Sequence, residues 1–144
     1  MSRGLLFIFL SFSTLFVFSG CAGKGEVFTA FKEPVNDNGL LYIYRPDRFT
    51  GMVVSYDVKD KHTQEVIGTL RNSSFISKSL PAGRYTLITP SDELDITIEK
   101  NRITCLTSYI DMVHDLGIGF ATHVLKPVPI IQCRDEIKQT NESL

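Results

Sequence analysis

The sequence predicts an all-β protein, a single antiparallel β-sandwich that follows an N-terminal signal segment. Apolar Leu94, Ile96 and Ile98 alternate with polar residues, which is typical of a strand with one buried face. Turn signals such as Pro81-Ala82-Gly83 recur about every 8–12 residues, the spacing of short strands in sandwiches and barrels. The chain after the signal shows no strong helical periodicity. These observations favour about seven to nine short strands.

The expected strands are bounded by clusters of turn residues. Leu40–Tyr44 is continuously apolar and ends at Arg45-Pro46-Asp47, whereas Asp135–Glu142 fits a short terminal helix. In chain order, the strands are expected at Leu40–Tyr44, Met52–Val58, Glu65–Leu70, Phe75–Leu80, Tyr85–Thr89, Leu94–Glu99, Ile103–Ile110 and Gly117–Leu125.

A length of 144 residues predicts one folded domain. We expect residues 1–20 to be a signal peptide, 21–38 a modified cysteine and tether, 39–133 the sandwich domain, and 134–144 a tail or short helix. The tether contains Val27, Phe28, Ala30 and Phe31, which are too apolar for a free linker and are expected to pack on the domain.

The first twenty residues have the order of a secretory signal. Arg3 supplies a positive charge, Leu5–Phe18 is nearly all apolar, and the small residues Ser19-Gly20 precede Cys21. The apolar run is shorter than the roughly 20 residues that a spanning helix requires.

The segment Phe18-Ser19-Gly20-Cys21 resembles the lipobox of bacterial lipoprotein signals, although Phe18 stands where that family usually has Leu. The resemblance implies cleavage before Cys21 and attachment of lipid to its thiol. Ala22 in place of Asp implies transfer to the outer membrane, with the domain facing the periplasm. An ordinary secretory signal with an incidental cysteine, or a short membrane anchor, is the alternative.

The charge of the mature chain disfavours two classes of partner. Without residues 1–20, which hold one arginine and no acid, the chain has 14 basic and 16 acidic residues, a net charge of 14 − 16 = −2. No basic cluster is present, so neither nucleic-acid binding nor a polybasic membrane patch is expected. Lipid on Cys21 is the predicted membrane contact.

Several segments after the tether occur in a familiar order. They are Leu41-Tyr42-Ile43-Tyr44-Arg45-Pro46, Gly51, Val66-Ile67-Gly68-Thr69-Leu70 and Leu80-Pro81-Ala82-Gly83-Arg84-Tyr85-Thr86-Leu87. This order resembles a family of short bacterial lipoproteins and secreted proteins catalogued as domain of unknown function 2846. The last segment also resembles the turn and strand of PEGA-like domains, which implies an immunoglobulin-like sandwich. The resemblance implies no catalytic residues.

The sequence contains no recognisable catalytic, metal or cofactor pattern. His62, His114 and His123 lack zinc-ligand spacing and are expected in solvated loops. No Gly-x-Ser-x-Gly motif marks a nucleophile, which disfavours a hydrolase.

Arg45, Asp47 and Arg48 flank Pro46 at a strand end. They could form an anion-contacting rim on a loop. A salt bridge of Arg45 that steadies the end of the strand is the favoured interpretation.

Cys105 and Cys133 remain once Cys21 is lipidated. An oxidising envelope favours a disulfide between them, and two buried free thiols are the alternative.

Taken together, the signal segment and the lack of a catalytic pattern favour a non-catalytic envelope lipoprotein that binds a partner protein or an envelope polymer. A lipidated assembly factor and an envelope hydrolase are the other candidates.

Overall fold

The structure of the protein is a computed structural model that describes residues 25–115 and 118–143. The predicted signal peptide of residues 1–20 and the predicted lipidation site Cys21 lie outside the described residues.

The described chain forms nine strands and one helix. They are β1 (Gly39–Arg45), β2 (Tyr56–Asp60), β3 (Val66–Leu70), β4 (Ser74–Leu80), β5 (Gly83–Ile88), β6 (Glu93–Ile98), β7 (Ile103–Asp115), β8 (Ile118–Pro127), α1 (Ile130–Ile137) and β9 (Asn141–Glu142).

Two sheets pack together as a sandwich, which confirms the predicted all-β class. One sheet has the strand order β8-β7-β1-β4-β9, and the other has the order β3-β2-β5-β6. Neighbouring strands are mostly antiparallel, but β1 pairs with β7 and β4 pairs with β9 in parallel.

Strand β1 is buried along its whole length because both of its faces are covered. Leu41 and Ile43 face the core between the sheets. Leu40, Tyr42 and Tyr44 face a second apolar cluster on the outer side of the five-stranded sheet. This explains why the sequence of β1 is continuously apolar rather than alternating.

The outer cluster is covered by helix α1 and by the residues that precede β1. Phe28 and Phe31 pack edge-on against the Tyr42 ring, as was expected, whereas Val27 and Ala30 are exposed and correct the expectation for those two residues. The Tyr44 hydroxyl donates a hydrogen bond to Glu136 of α1 at 2.6 Å. Burial, followed by this contact with Glu136, raises the pKa of the Tyr44 phenol.

A disulfide joins Cys105 of β7 to Cys133 of α1, with Cα atoms 6.3 Å apart, so the predicted pairing is confirmed. Both cysteines belong to the outer cluster. The bond fixes the helix directly to the sheet that it covers.

The C-terminal region differs from the expected tail or helix of residues 134–144. Helix α1 spans Ile130–Ile137 rather than Asp135–Glu142, because its spacing of four residues buries Cys133 and Ile137 together. Asn141 and Glu142 then pair with the start of β4. The folded unit therefore continues past Cys133, where the sequence had placed its boundary.

The expected strand Met52–Val58 is also shorter in the structure, since β2 begins at Tyr56. The carbonyls of Gly51 and Val54 accept hydrogen bonds from the Arg45 side chain, and Gly51 has a positive φ of 73°. This backbone belongs to a loop that crosses from one sheet to the other.

Candidate functional site

Arg45 is the largest side chain that the structure buries almost completely, with 1% of its surface exposed. The alternation along β1 places it on the inner face with Leu41 and Ile43. Its guanidinium donates to the carbonyl of Val54 at 2.7 Å and to that of Gly51 at 2.6 Å. The guanidinium also lies over the ring of Tyr56, 5.5 Å from the centroid. Burial lowers the pKa of Arg45.

This placement corrects the prediction for Arg45. The side chain neither joins an anion-contacting rim nor forms the favoured salt bridge, since its described partners are two carbonyl oxygens and an aromatic ring. The same alternation that buries Leu41 and Ile43 could have shown that position 45 points inward. A charged side chain in the core is unfavourable without partners, and the carbonyls of the loop supply hydrogen-bond acceptors for the Arg45 guanidinium.

Asp47 and Arg48 stay at the surface, where both contact the turn before β4. The side chain of Asn72 donates to Asp47 at 2.5 Å and accepts from the Arg48 backbone N–H at 3.1 Å. The Arg48 guanidinium lies 4.9 Å from the ring centroid of Tyr109. Asp47 and Arg48 therefore hold the segment after β1 against the turn before β4 and against β7.

A chain of hydrogen bonds extends from Tyr56 across the core. The Tyr56 hydroxyl lies 2.6 Å from the Ser108 hydroxyl, which in turn donates to the carbonyl of Val124 at 2.8 Å. Because Ser108 uses its own proton there, Tyr56 donates to it. Burial raises the pKa of Tyr56, which keeps this phenol protonated.

His123 packs against the Tyr56 ring, with centroids 4.4 Å apart. It is buried on β8, so the expectation of a solvated loop histidine was wrong for this residue. Burial, and then the positive charge of Arg45, lower the pKa of His123. A neutral ring can accept a hydrogen bond from the Ser91 hydroxyl, whose oxygen is 2.9 Å from Nδ1.

The contact between Ser91 and His123 has the residue types of a hydrolase dyad, yet its geometry serves the sheet. Ser91 Oγ also accepts the His123 backbone N–H at 2.6 Å, and Asp92 accepts the Leu125 backbone N–H at 2.7 Å. Both N–H groups lie on β8, which has β7 on one side only. The turn between β5 and β6 thus caps the free edge of β8 and joins the two sheets.

Within the described part of the chain, no group of three or more His, Cys, Asp or Glu residues could hold a metal ion. His62 lies in the exposed turn before β3, with its Nε2 3.4 Å from the Thr86 hydroxyl. The side chain of His114 falls outside the described residues.

An open depression of about 320 Å³ lies between β2 and β5. Strand β5 ends at Ile88, opposite Lys59, so the first residues of β2 have no partner in β5 and the depression opens beside them. It is lined by Ser55, Tyr56, Asp57, Lys59, Gln64, Ile88, Thr89 and Pro90. Its open shape and mixed lining differ from the enclosed apolar pockets that bind most small ligands.

One end of the sandwich, which we call the hairpin end, carries a group of exposed apolar side chains. There β1 stops at Arg45, β4 begins at Ser74, and the β7–β8 hairpin continues past them. The loop 46–55 lies against this hairpin, because a side chain at Gly51 would touch Ile110. Six exposed apolar side chains there form what we call the apolar rim: Phe49, Met52, Val53, Met112, Val113 and Phe120.

Comparison with protein-family models, curated proteins and solved structures found no match to this chain. Helix α1, the one helix in the described residues, is neither long enough nor apolar enough to cross a membrane.

Proposed function

We propose that this chain is a bacterial envelope lipoprotein, anchored by lipid on Cys21, whose sandwich acts as a non-catalytic binding or structural module. One observation carries the proposal. A charged residue, an apolar run and two small residues precede Cys21 in the order of a lipoprotein signal, and a folded domain follows within a few residues.

The disulfide between Cys105 and Cys133 supports export of the domain. Disulfides persist in oxidising compartments such as the periplasm and are rare where thiols are kept reduced. A signal-like segment and a bonded pair of cysteines together fit an exported domain. Ala22 after Cys21 supports the outer membrane as the destination.

The roles of the polar residues in the core support a module rather than an enzyme. Arg45 fixes the loop 46–55, Ser108 links Tyr56 to β8, and Ser91 caps the edge of β8. Each of these side chains makes hydrogen bonds to other parts of the fold. We also propose membership of the 2846 family, supported by the order of the segments quoted above.

Metabolic labelling with a fatty-acid analogue tests the anchor. We expect wild-type protein to take up the label and Cys21→Ser to lose it, because the thiol of Cys21 is the attachment point. The matched control is the double variant Cys105→Ser/Cys133→Ser, which keeps Cys21 and should remain labelled. Label that persists in Cys21→Ser, or that is absent from wild-type protein, would refute the proposal.

A lipidated assembly factor for another envelope protein is the second candidate. The observation that favours it is the apolar rim, since exposed apolar surface of this kind serves to hold partners. Affinity capture of the lipidated protein from membranes tests this candidate. One client recovered by wild-type protein and lost with Phe49→Asp/Val53→Asp would support it, whereas equal recovery by both would exclude the rim as the client site.

A further inference from the structure

The four-stranded sheet has a gap in the hydrogen-bond ladder between β2 and β5. Lys59 of β2 pairs with Ile88 of β5, and the Lys61 backbone N–H donates to the Thr86 carbonyl at 2.8 Å. The odd-numbered residues of β2 therefore direct their backbone N–H and carbonyl groups toward β5, because these directions alternate along a strand. Asp57 is the next residue in this series, and it has no partner in β5, which ends at Ile88.

The turn that follows β5 holds this gap open. In a continued ladder Asp57 would face Pro90, which has no backbone N–H to donate. The turn closes on itself, since the Thr89 backbone N–H donates to the Asp92 carbonyl at 2.9 Å. Ser91 and Asp92 also accept backbone N–H groups of β8 at 2.6 and 2.7 Å. The chain after β5 is therefore bound to the other sheet and leaves this edge of β2 uncovered.

The open depression of about 320 Å³ lies at the gap. Asp57 and Lys59 line it on the side of β2, and Ile88 and Pro90 line it on the side of β5. A free strand edge beside an open depression can receive one more extended strand. The backbone of that strand would accept from the Asp57 N–H and donate to the Asp57 carbonyl, which Pro90 cannot do.

The charges beside the gap indicate which part of a peptide fits. The Asp57 carboxylate already accepts a hydrogen bond from the Thr69 hydroxyl at 2.7 Å. Lys59 is partly buried, and its ammonium group makes no ion pair or hydrogen bond within the described part of the chain. Because Ile88 occupies the position opposite Lys59, an added strand cannot continue along β2 beyond that point. A strand that ends there with a free carboxylate would place that charge beside the Lys59 ammonium.

From these observations we propose that the gap binds the extended C-terminal end of a partner protein. The peptide adds to β2 at Asp57, runs parallel to β2, and ends with its carboxylate at Lys59. This inference deepens the proposed binding role of the domain. It needs the folded sandwich but does not depend on the lipid anchor.

The test uses full-length lipidated protein in detergent micelles and a pool of acetylated pentapeptides of Thr, Val, Ser and Tyr. One pool has free C-terminal carboxylates, and a second pool is amidated. We expect the free acids to bind about threefold to fivefold more tightly than the amides, and to protect the Asp57 amide from hydrogen exchange. Lys59→Gln should bind both pools equally, at the level of the amides. Lys126→Gln, an exposed lysine on β8, is the matched control and should keep the wild-type preference.

No binding of either pool, or equal preference in wild-type protein and Lys59→Gln, would overturn the inference. An Asp57 amide that is already protected without peptide would also overturn it. Sedimentation would then show whether a second copy or the chain itself fills the gap. Intact mass of each preparation separates the two proposals. Protein without lipid on Cys21 refutes the anchor, whereas lipidated protein that does not bind the free acids refutes only this inference.

Discussion

Arg45 shows how one buried charge organises a loop of ten residues. Its guanidinium binds the carbonyls of Gly51 and Val54 from the core side, and the loop then crosses to β2. Lysine could not replace it, because a single ammonium group lacks the planar pair of donors that reaches both carbonyls. The position of the loop, and with it that of Phe49 and Val53, depends on this side chain.

Arg45→Met keeps the apolar stem and removes the donors. We expect it to lower the free energy of unfolding by about 2–4 kcal/mol, because two charge-assisted hydrogen bonds are lost. The Val54 carbonyl then loses its Arg45 donor, whereas the Gly51 carbonyl keeps the Val54 backbone N–H. Urea denaturation measures this change. Arg48→Met, in an exposed side chain, should cost less than about 1 kcal/mol. Equal losses in the two variants would contradict the role given to Arg45.

His123 makes stability depend on pH in a defined direction. Its pKa in the folded protein is lowered from the usual 6.5, first by burial and then by the charge of Arg45. The unfolded chain therefore binds a proton more readily, and stability falls as the pH drops through 6.5 toward the folded pKa. Above pH 6.5 the contribution is fully present. Protonation of Nδ1 would also break its bond from the Ser91 hydroxyl.

We expect the Tm of wild-type protein to fall between about pH 7.5 and 5.5, the range in which histidine titrates. His123→Gln should lower the Tm at pH 7.5 and flatten this dependence. His62→Gln, in an exposed turn, should keep the wild-type slope. Thermal melts across the range would speak against this account if His123→Gln and wild-type protein showed the same slope.

At the scale of elements, the disulfide and Tyr44 connect α1 to the sheet that it covers. The bond between Cys105 and Cys133 closes a loop with a sequence separation of 28 residues. A loop of that length corresponds to about 3.5 kcal/mol in the chain-entropy estimate.

Cys105→Ala/Cys133→Ala should therefore lower the free energy of unfolding by about 2–4 kcal/mol, from the loss of the crosslink and of packing around it. Urea denaturation under oxidising and reducing conditions measures the effect. Wild-type protein should lose most of this increment on reduction, whereas the double variant should not respond to the reductant. Identical curves for reduced and oxidised wild-type protein would contradict a stabilising bond.

The strands were predictable from the sequence where alternation and turns agreed. Leu94, Ile96 and Ile98 alternate because one face of β6 meets the core, and Pro81-Ala82-Gly83 ends one strand and begins the next. The beginning of β2 was not predictable from alternation, since Met52 and Val54 follow the same period as Tyr56. A distant side chain, Arg45, takes the carbonyls that a strand would otherwise pair.

The bounds of the helix and the contacts of the polar core could not be predicted from the sequence for related reasons. Ile130-Ile131 extends an apolar stretch, and only the spacing of Cys133 and Ile137 indicates the buried face of α1. The contact of Ser91 with His123 joins residues 32 apart in sequence, in different sheets. Such pairs depend on how the sheets pack, and periodicity within one strand carries no information about that.

At the scale of the whole molecule, the sandwich has two different ends. The hairpin end carries the apolar rim, whereas the opposite end carries the polar turn at Asn36 and Asp37. The second candidate function, binding of an apolar client, would fall to the hairpin end, where the apolar rim lies.

Intact mass spectrometry of the protein purified from bacterial membranes tests the lipid anchor most directly. The account predicts a chain that starts at Cys21 and carries acyl lipid, with a mass two hydrogens lower before reduction because Cys105 and Cys133 are bonded. A mass that matches an unmodified chain, whether or not residues 1–20 have been removed, would contradict the account.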